Sequence, residues 1–448
     1  MHTVTWPAQC LPVLHEADVC VLGGSCTGVF AAVRAARLGL RVVLAEKQNS
    51  FGGVATQGLV TIWHTLMDMK GERQIIAGLT QEVLERLKRR GAYFTRPARS
   101  VYYTMNTEEL KIDLDELVLA EKTITPLLHA PYAAPYIGAD GELKGAVLQT
   151  KSGLGVVLAK VFVDATGDGD LLRDVGAAFR LPDVKQPPSP GAKFQGLSAL
   201  GAKELHELIF EHGGEVGLAP DWGWSSDIPG SQDLSFHVDT HVFGVNCADV
   251  HSLTFAEMEG RRQVRAMHDL VRKYRPELHV TLVDLSSYIG IRETRHFDCL
   301  YRLQERDLLG GQRFEDAIGN GTYPVDVHHD DKPGLTFKYL DGTQRYVRDG
   351  FPPEESTWLK PGEQAPNFYQ IPYRCLVPKS VDNVIAAGRM LDADVNAYGA
   401  IRVMVNANQT GEAAGVACYC ALSEGTGFAG VRPAKLRELL AEGGSAVL

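Results

Sequence analysis

The apolar run at residues 19–22 (Val-Cys-Val-Leu) reads as a buried parallel strand. A tight turn follows, Gly23-Gly24-Ser25-Cys26-Thr27-Gly28. An alanine-rich helix is expected over 29–38, closed by Gly39, then a second strand over 41–45 that ends at Glu46. Leu79, Val83, Leu84 and Leu87 fall at helical spacing and predict a helix over 75–90. Asn106 or Thr107 caps another over 108–122. Residues 124–162 read as strands, with Asp140-Gly141 as a hairpin turn between two of them. Residues 161–163 form a strand that runs into the small-residue turn Ala165-Thr166-Gly167-Asp168-Gly169-Asp170.

Residues 181–200 are proline-rich and mark a boundary. Beyond it lies a basic helix over 256–274, read as a solvated face. Residues 330–366 are polar and turn-rich, an irregular excursion. The pattern then tightens again. A strand is expected at 369–376 and a buried one at 383–387, followed by Gly388-Arg389. From 401 to 422 small residues recur at helical spacing, which suits close packing on a sheet.

The chain has 448 residues, too many for one simple core. The net charge of −10 argues against nucleic acid or an anionic membrane surface as partner. No apolar run is long enough to span a bilayer, and the N-terminus lacks the basic-then-apolar pattern of a secretory signal, so a cytoplasmic location is expected. The eight cysteines form no C-x-x-C pair or iron–sulfur run. Asp164, Asp168 and Asp170 lack the following glutamate of a calcium loop, and no metal is expected.

The first strand–turn–helix–strand unit suits an ADP moiety. A helix N-terminus favours the pyrophosphate, and an acid about 20 residues on accepts from ribose hydroxyls. Glu46 occupies that position, and Ser25 stands where the second glycine of G-x-G-x-x-G is usual. Gly52, Gly53, Ala55, Thr56 and Gly58 predict a backbone packed against a ligand. Tyr288, Arg292, Glu293 and Arg295 cluster, and arginine suits a planar carboxylate. His328 and His329 are adjacent, so on a strand at most one faces a site. Trp222-Gly223-Trp224 with Ile228-Pro229 approaches the W-x-W-x-I-P motif of flavin-dependent halogenases. The register is off by two residues, so the match is read as coincidence.

Taken in order, GGSCTG with Glu46, FGGVATQGL, VDATGDGDL, YIGIRETR, GTYPVDVH, YQIPYRCLVP and the segment from AAGRM to TGEAAG resemble a known family. It is the FAD-dependent oxidoreductases akin to heterodisulfide reductase A-like flavoproteins, and more distantly the glutathione reductase and fumarate reductase types. The resemblance covers about residues 16–425. It implies an α/β, Rossmann-like FAD-binding domain of glutathione reductase type over 16–185 and 370–430. It also implies an inserted α+β substrate or cap domain over 190–369, an N-terminal extension over 1–15 and a C-terminal tail over 431–448.

By the same resemblance Gly23, Gly24, Ser25, Cys26, Thr27 and Gly28 hold the pyrophosphate, with Glu46 and Lys47 at the ribose. Gly53, Val54, Ala55 and Thr56 run along the flavin, and Ala165, Thr166, Gly167 and Asp168 lie near the adenine side. Gly388, Arg389, Gly399, Ala400, Arg402 and Val403 complete the far end. Gly52 stands where fumarate reductase relatives carry a covalent histidine, so noncovalent FAD is expected.

The expected chemistry is hydride transfer between flavin N5 and a small organic substrate. Arg292 or Arg295 binds its anionic group, and His64, His328 or Tyr373 serves as acid or base. NAD(P)H or a protein is the open choice of electron partner, and the oligomeric state is open too. The alternatives are a flavin monooxygenase or halogenase, and a non-catalytic FAD-binding protein.

Overall fold

The structure, a computed structural model, describes residues 3–5, 8–96 and 101–448. Residues 1, 2, 6 and 7 of the expected N-terminal extension lie outside the described residues. The fully buried strand β1 (Val19–Leu22) leads through the glycine turn into helix α1 (Cys26–Arg37). The helix starts earlier than its apolar pattern suggests, because Ser25 is its N-cap and its hydroxyl accepts from Gly28 N. Strand β2 (Val42–Ala45) follows, then helices α2 (Leu79–Arg89) and α3 (Thr107–Leu119). Asn106 caps α3 through bonds from Glu108 N and Glu109 N.

Next come β3 (Ile124–Leu127), β4 (Tyr132–Ile137), β5 (Leu143–Thr150), β6 (Gly153–Leu158) and β7 (Val161–Asp164). Then β8 (Ala192–Gln195), β9 (Trp224–Asp227) and β10 (Leu234–Val238) precede the long helix α4 (Val250–Tyr274) and β11 (Thr281–Leu285). Strands β12 (Val325–His328), β13 (Leu335–Lys338), β14 (Thr343–Val347) and β15 (Glu354–Thr357) form an antiparallel sheet. Residues 330–366 are therefore not the irregular excursion expected from their polarity. Their strands are half-buried or exposed apart from Leu335, so they lack the apolar alternation that reveals a strand. Last are β16 (Val384–Ala386), helix α5 (Val395–Ile401) and helix α6 (Met404–Glu424).

The organising sheet is wholly parallel, in the order β16-β7-β1-β2-β3. Its strands come from segments more than 200 residues apart in the chain. Such strands are buried on both faces and so read as short continuous apolar runs. On one face α6 lies against α1 at backbone contact. A Cβ added at Gly411 would stand 2.1 Å from Thr27 O, and one at Gly415 would stand 2.2 Å from Ala31 O. That contact accounts for the small-residue stripe. The buried Arg34–Glu412 ion pair locks the two helices, and Glu412 also accepts from Leu79 N at 3.1 Å and Ser445 Oγ at 3.0 Å.

A second sheet, β6-β5-β4, gains Val13–Glu16 as a parallel edge strand, so the end of the expected extension is structured. The expected tail is also part of the body. It holds a helix, Pro433–Glu442, that buries Leu436 and Leu440. A third sheet has the order β9-β10-β8-β11. Residues of the third sheet (Trp224, Val238) and of the β12–β15 sheet (Asp326, His328, Phe337) line a hollow with Arg389, which follows the carboxyl end of β16, the edge where open α/β sheets bind ligands. Among the described residues, no helix is long and apolar enough to cross a membrane.

Candidate functional site

Two connected hollows meet at that edge. The first, of about 170 Å³, lies between the glycine turn and the turn after β7, lined by Gly23, Ser25, Glu46, Lys47, Thr166 and Asp168. The second, of about 310 Å³, is lined by Val54, His64, Tyr102, Trp222, Arg292 and Arg402 among others. Arg389 and Ile291 line both, so the two form one cleft with a waist.

The nucleotide end is built by close approach. Gly23 has φ +99°, and a Cβ there would lie 2.2 Å from the Ala165 carbonyl. The Glu46 carboxylate accepts from Gly24 N at 2.5 Å and from Gln48 N at 2.8 Å, which fixes it at the end of β2. Asp164, buried at the end of β7, accepts from Thr166 N, Thr166 Oγ1 and Leu172 N and so shapes the next turn. Burial pushes its carboxyl up to about 6 against those bonds.

Arg389 reaches into this hollow. Its NH2 lies 3.3 Å from Asp168 Oδ1, while its buried NH1 has no partner. An unpartnered buried guanidinium N–H beside a glycine turn and a helix N-terminus fits a bound pyrophosphate. These residues therefore fit FAD.

Several expected cofactor residues support the cleft from behind. Cys26 is buried with Sγ 3.7 Å from Gly52 O, and burial pushes its thiol up to about 12, so it is a packing residue. Thr27, Ala55 and Thr56 are buried, and Thr56 Oγ1 donates to Phe51 O at 2.7 Å. Gly28 sits beneath the turn, where a Cβ would meet Gly23 O at 1.8 Å. A Cβ at Gly167 would meet the Arg389 guanidinium at 2.7 Å. Gly388 N donates to Thr410 Oγ1 at 2.9 Å. Gly53 and Ala165 line the nucleotide hollow, and Val54 and Val403 line the other.

Gly399 and Ala400 are misplaced as cofactor contacts. They lie inside α5, where Gly399 packs on β12 with room for no Cβ beside Asp326 O. The helix start that lines the second hollow is that of α6, through Val403 and Met404, and it has no side-chain cap.

The second hollow is mostly apolar, with Arg292, Asp326 and Arg402 as charged groups on its wall. Asp326 Oδ2 accepts from Tyr323 Oη at 2.7 Å and from Arg402 NH2 at 3.1 Å. Burial opposes its ionisation. Arg402 and Tyr323 outweigh burial and hold the carboxyl well below its usual range. The His64 ring packs on the Tyr323 ring at 4.1 Å. Burial, with Arg402 adding to it against Asp326, pushes the His64 imidazole down to about 4, so it is neutral at neutral pH.

Arg292 NH1 donates to Pro187 O at 2.6 Å and Ser189 Oγ at 2.9 Å, which orients the guanidinium on the cavity wall. Burial, then Arg402, lowers it to about 9. Arg402 Nε is buried without a partner.

Two expected catalytic residues lie elsewhere. Tyr373 is in the core, and its hydroxyl donates to Phe428 O at 2.9 Å. Arg295 NH1 donates to Asp168 O at 2.8 Å and pairs with Asp170 at 3.2 Å. It clamps the turn after β7 and does not line the cavity. His64, Arg292 and His328 do line it. Both tryptophans of the dismissed halogenase-like motif line it as well.

The sequence reading missed Tyr102, Tyr323, Asp326 and His241. Asp326 had a usable signal, since it stands two before His328 and so shares its strand face. His241 had none, because its partner His328 is 87 residues away.

A family model described as FAD dependent oxidoreductase matches residues 18–440. Dihydrolipoyl dehydrogenase of Trypanosoma brucei brucei is 29% identical over 163 residues, covering 30% of this chain and 34% of that protein. The chain thus spans about a third of the length of the curated relative it matches. A geranylgeranyl bacteriochlorophyll reductase-like protein of Thermoplasma acidophilum aligns over 96% of this chain and 83% of its own, at TM-score 0.47 and 11% identity. PqsL of Pseudomonas aeruginosa aligns over 96% and 92%, at TM-score 0.39 and 14% identity. The flavin-dependent brominase Bmp2 aligns over 94% and 82%, at TM-score 0.43 and 12% identity. Likeness at this level carries nothing about chemistry. The family match spans nearly all of the chain, which belongs to the FAD dependent oxidoreductases and is an enzyme that uses FAD.

Proposed function

We propose that the chain binds FAD noncovalently in the two-part cleft and transfers a hydride to or from a small anionic organic substrate at the Arg292–His64 end. The supporting observation is the cleft itself. A hollow at Glu46 and Arg389 adjoins a second at His64 and Arg292, and Arg389 and Ile291 line both. On this reading residues 16–185 and 370–430 form a glutathione reductase-type FAD domain, and 190–369 form an α+β cap over it.

Bound FAD supplies a hydride donor or acceptor. Arg292, oriented by Pro187 O and Ser189 Oγ, binds a carboxylate of the substrate. Neutral His64 accepts the proton that accompanies hydride loss at carbon. Arg402 is held by Asp326, and with the uncapped start of α6 it offers positive potential at the cavity wall. The test is anaerobic mixing of the holoenzyme with a panel of carboxylates, alcohols and amines. Bleaching of the oxidised flavin, or anaerobic reoxidation of the reduced flavin, by members of the carboxylate set supports the proposal, and neither change with any compound refutes it.

A second reading is oxygen activation by a monooxygenase or halogenase. Trp222 and Trp224 on the cavity wall are what favours it. It predicts rapid oxygen uptake with NAD(P)H and an oxygenated or halogenated product.

A further inference from the structure

Behind the reactive chamber runs a line of hydrogen-bonded groups that the hydride-transfer proposal does not need. Asp221 Oδ1 and Oδ2 each lie 3.0 Å from His241 Nδ1, and Asp221 Oδ2 also accepts from His241 N at 2.7 Å. His241 Nε2 lies 2.7 Å from His328 Nδ1. His328 Nε2 then lies 3.3 Å from Asp326 Oδ1, on the cavity wall. The two imidazoles are nearly closed to solvent, with side chains 4% and 8% exposed, whereas the Asp221 side chain is 10% exposed at the outer end. The line thus joins an outer carboxylate to the chamber through two rings.

The proton positions follow from donor and acceptor rules. An ionised Asp221 only accepts, so His241 Nδ1 carries a proton. A neutral His241 then accepts at Nε2, and the 2.7 Å contact places a proton on His328 Nδ1. A neutral His328 is left bare at Nε2, facing the carboxylate of Asp326. Adding one proton at His328 Nε2, from the chamber, reverses the line as the His328 Nδ1 proton passes to His241 Nε2 and the His241 Nδ1 proton passes to Asp221. Asp221 O–H donates to His241 Nδ1, His241 Nε2–H donates to His328 Nδ1, and His328 Nε2–H now faces Asp326.

We infer that Asp221, His241 and His328 form a proton relay between the outer face of the protein and the substrate chamber. His328 is its terminal acid or base, and Asp221 and His241 act through it. In an inward pass, from the reversed line, the His328 Nε2–H bond breaks as a substrate atom or a water in the chamber gains that proton. His328 Nδ1 takes a proton from His241 Nε2, and His241 Nδ1 takes one from Asp221. One proton is delivered with no change of oxidation state, and the line is left pointing outward, so the next pass takes a proton from the chamber at His328 Nε2 and hands one to Asp221 and solvent. The reverse order carries protons out.

The groups facing His328 suit transient loading. Arg292 and Arg402 stand on other elements of the chamber wall and oppose a lasting charge, whereas Asp326 on its own strand favours one. Burial and Arg292 hold the His328 imidazole well below its ordinary range, and burial, against Asp221, lowers that of His241. The relay is at rest neutral and does not trap a proton. The inference rests on reading this chamber as the place where substrate sits.

Holoenzyme labelled with ¹⁵N-histidine tests it without a substrate. The relay predicts one strongly downfield ring proton coupled to nitrogens of both His241 and His328. It also predicts that exchange of that proton with bulk water slows about a hundredfold in Asp221→Asn, the low end of what a positioned proton-transfer group contributes. The asparagine keeps the shape and the acceptor but cannot pass a proton. His241→Gln provides a second variant with the same expected loss, should the first fail to fold. Absence of the shared proton, or exchange unchanged in the folded variants, overturns the relay. Purified protein without flavin absorbance would count against the cofactor reading and leave the exchange comparison standing.

Discussion

Arg389 NH2 lies 3.3 Å from Asp168 Oδ1, and that pair ties the end of β16 to the turn after β7 across the waist of the cleft. The remaining NH1 has no protein partner. A buried guanidinium keeps an unused donor only at a cost of a few kcal/mol unless a ligand takes it. Replacing Arg389 by Ala is expected to weaken FAD binding by about 10- to 100-fold, the range of a hydrogen bond to a charged group. Fluorescence titration of the apoprotein with FAD measures this, and an unchanged dissociation constant would remove Arg389 from the cofactor site.

Ser25 caps α1 and packs on Gly53, where an added Cβ would stand 2.7 Å from Ser25 Cβ. A bulky residue at 25 has nowhere to go but the nucleotide hollow. Ser25→Leu should therefore abolish flavin retention through purification, while Ser25→Gly retains it. Full retention by the leucine variant would contradict the placement of the pyrophosphate.

Arg292 is held by two acceptors on the cavity wall and has no carboxylate within bonding distance among the described residues. Arg292→Gln is expected to raise KM for a carboxylate substrate by about 10- to 100-fold. Flavin content should stay the same. A fall in kcat with KM unchanged would instead assign Arg292 to the chemical step.

The depression of His64 to about 4 carries a stability signature. In the unfolded chain the ring titrates near its ordinary value of about 6.5. Between those two values the unfolded state binds a proton that the folded state refuses. His64 thus favours the folded state fully above about pH 6.5, and this contribution is lost as pH falls towards 4, at up to about 1.4 kcal/mol per pH unit. Urea unfolding between pH 4 and 7 should show a shallower pH slope in His64→Asn than in the wild type. Equal slopes would show that the imidazole is not depressed.

Glu412, with its side chain 1% exposed, pairs with Arg34 and also takes bonds from Leu79 N and Ser445 Oγ. Glu412→Ala leaves the buried Arg34 guanidinium without its carboxylate, with only Ser445 Oγ as partner among the described residues, and should cost about 3–5 kcal/mol. The shift of the urea midpoint at constant slope measures it. A loss within about 0.5 kcal/mol, the range of surface substitutions, would contradict the clamp.

The parallel sheet was legible in the sequence because its strands are continuous apolar runs next to glycine turns, as at 19–28 and 161–170. The nucleotide end was legible for the same reason, since Gly23, Ser25 and Glu46 act within one local unit. The reactive end was read less well. His64, Arg292 and His328 converge from segments more than 30 residues apart, and nothing local distinguishes Arg292, on the wall, from Arg295, which clamps a turn. Tyr373 sits in a dense motif because its hydroxyl anchors Phe428 O in the core, a packing role that resembles a functional one in sequence. Strands β13–β15 escaped notice because, half-buried or exposed apart from Leu335, they bury too little to leave an apolar period.

A crystal structure of the FAD-loaded protein tests the central claim most directly. The account predicts the adenosine ribose at Glu46, the pyrophosphate between the glycine turn and Arg389, and the ring system against Val54 and Val403 with one face open to His64 and Arg292. A ring system outside the chamber, or a pyrophosphate away from Arg389, would contradict it.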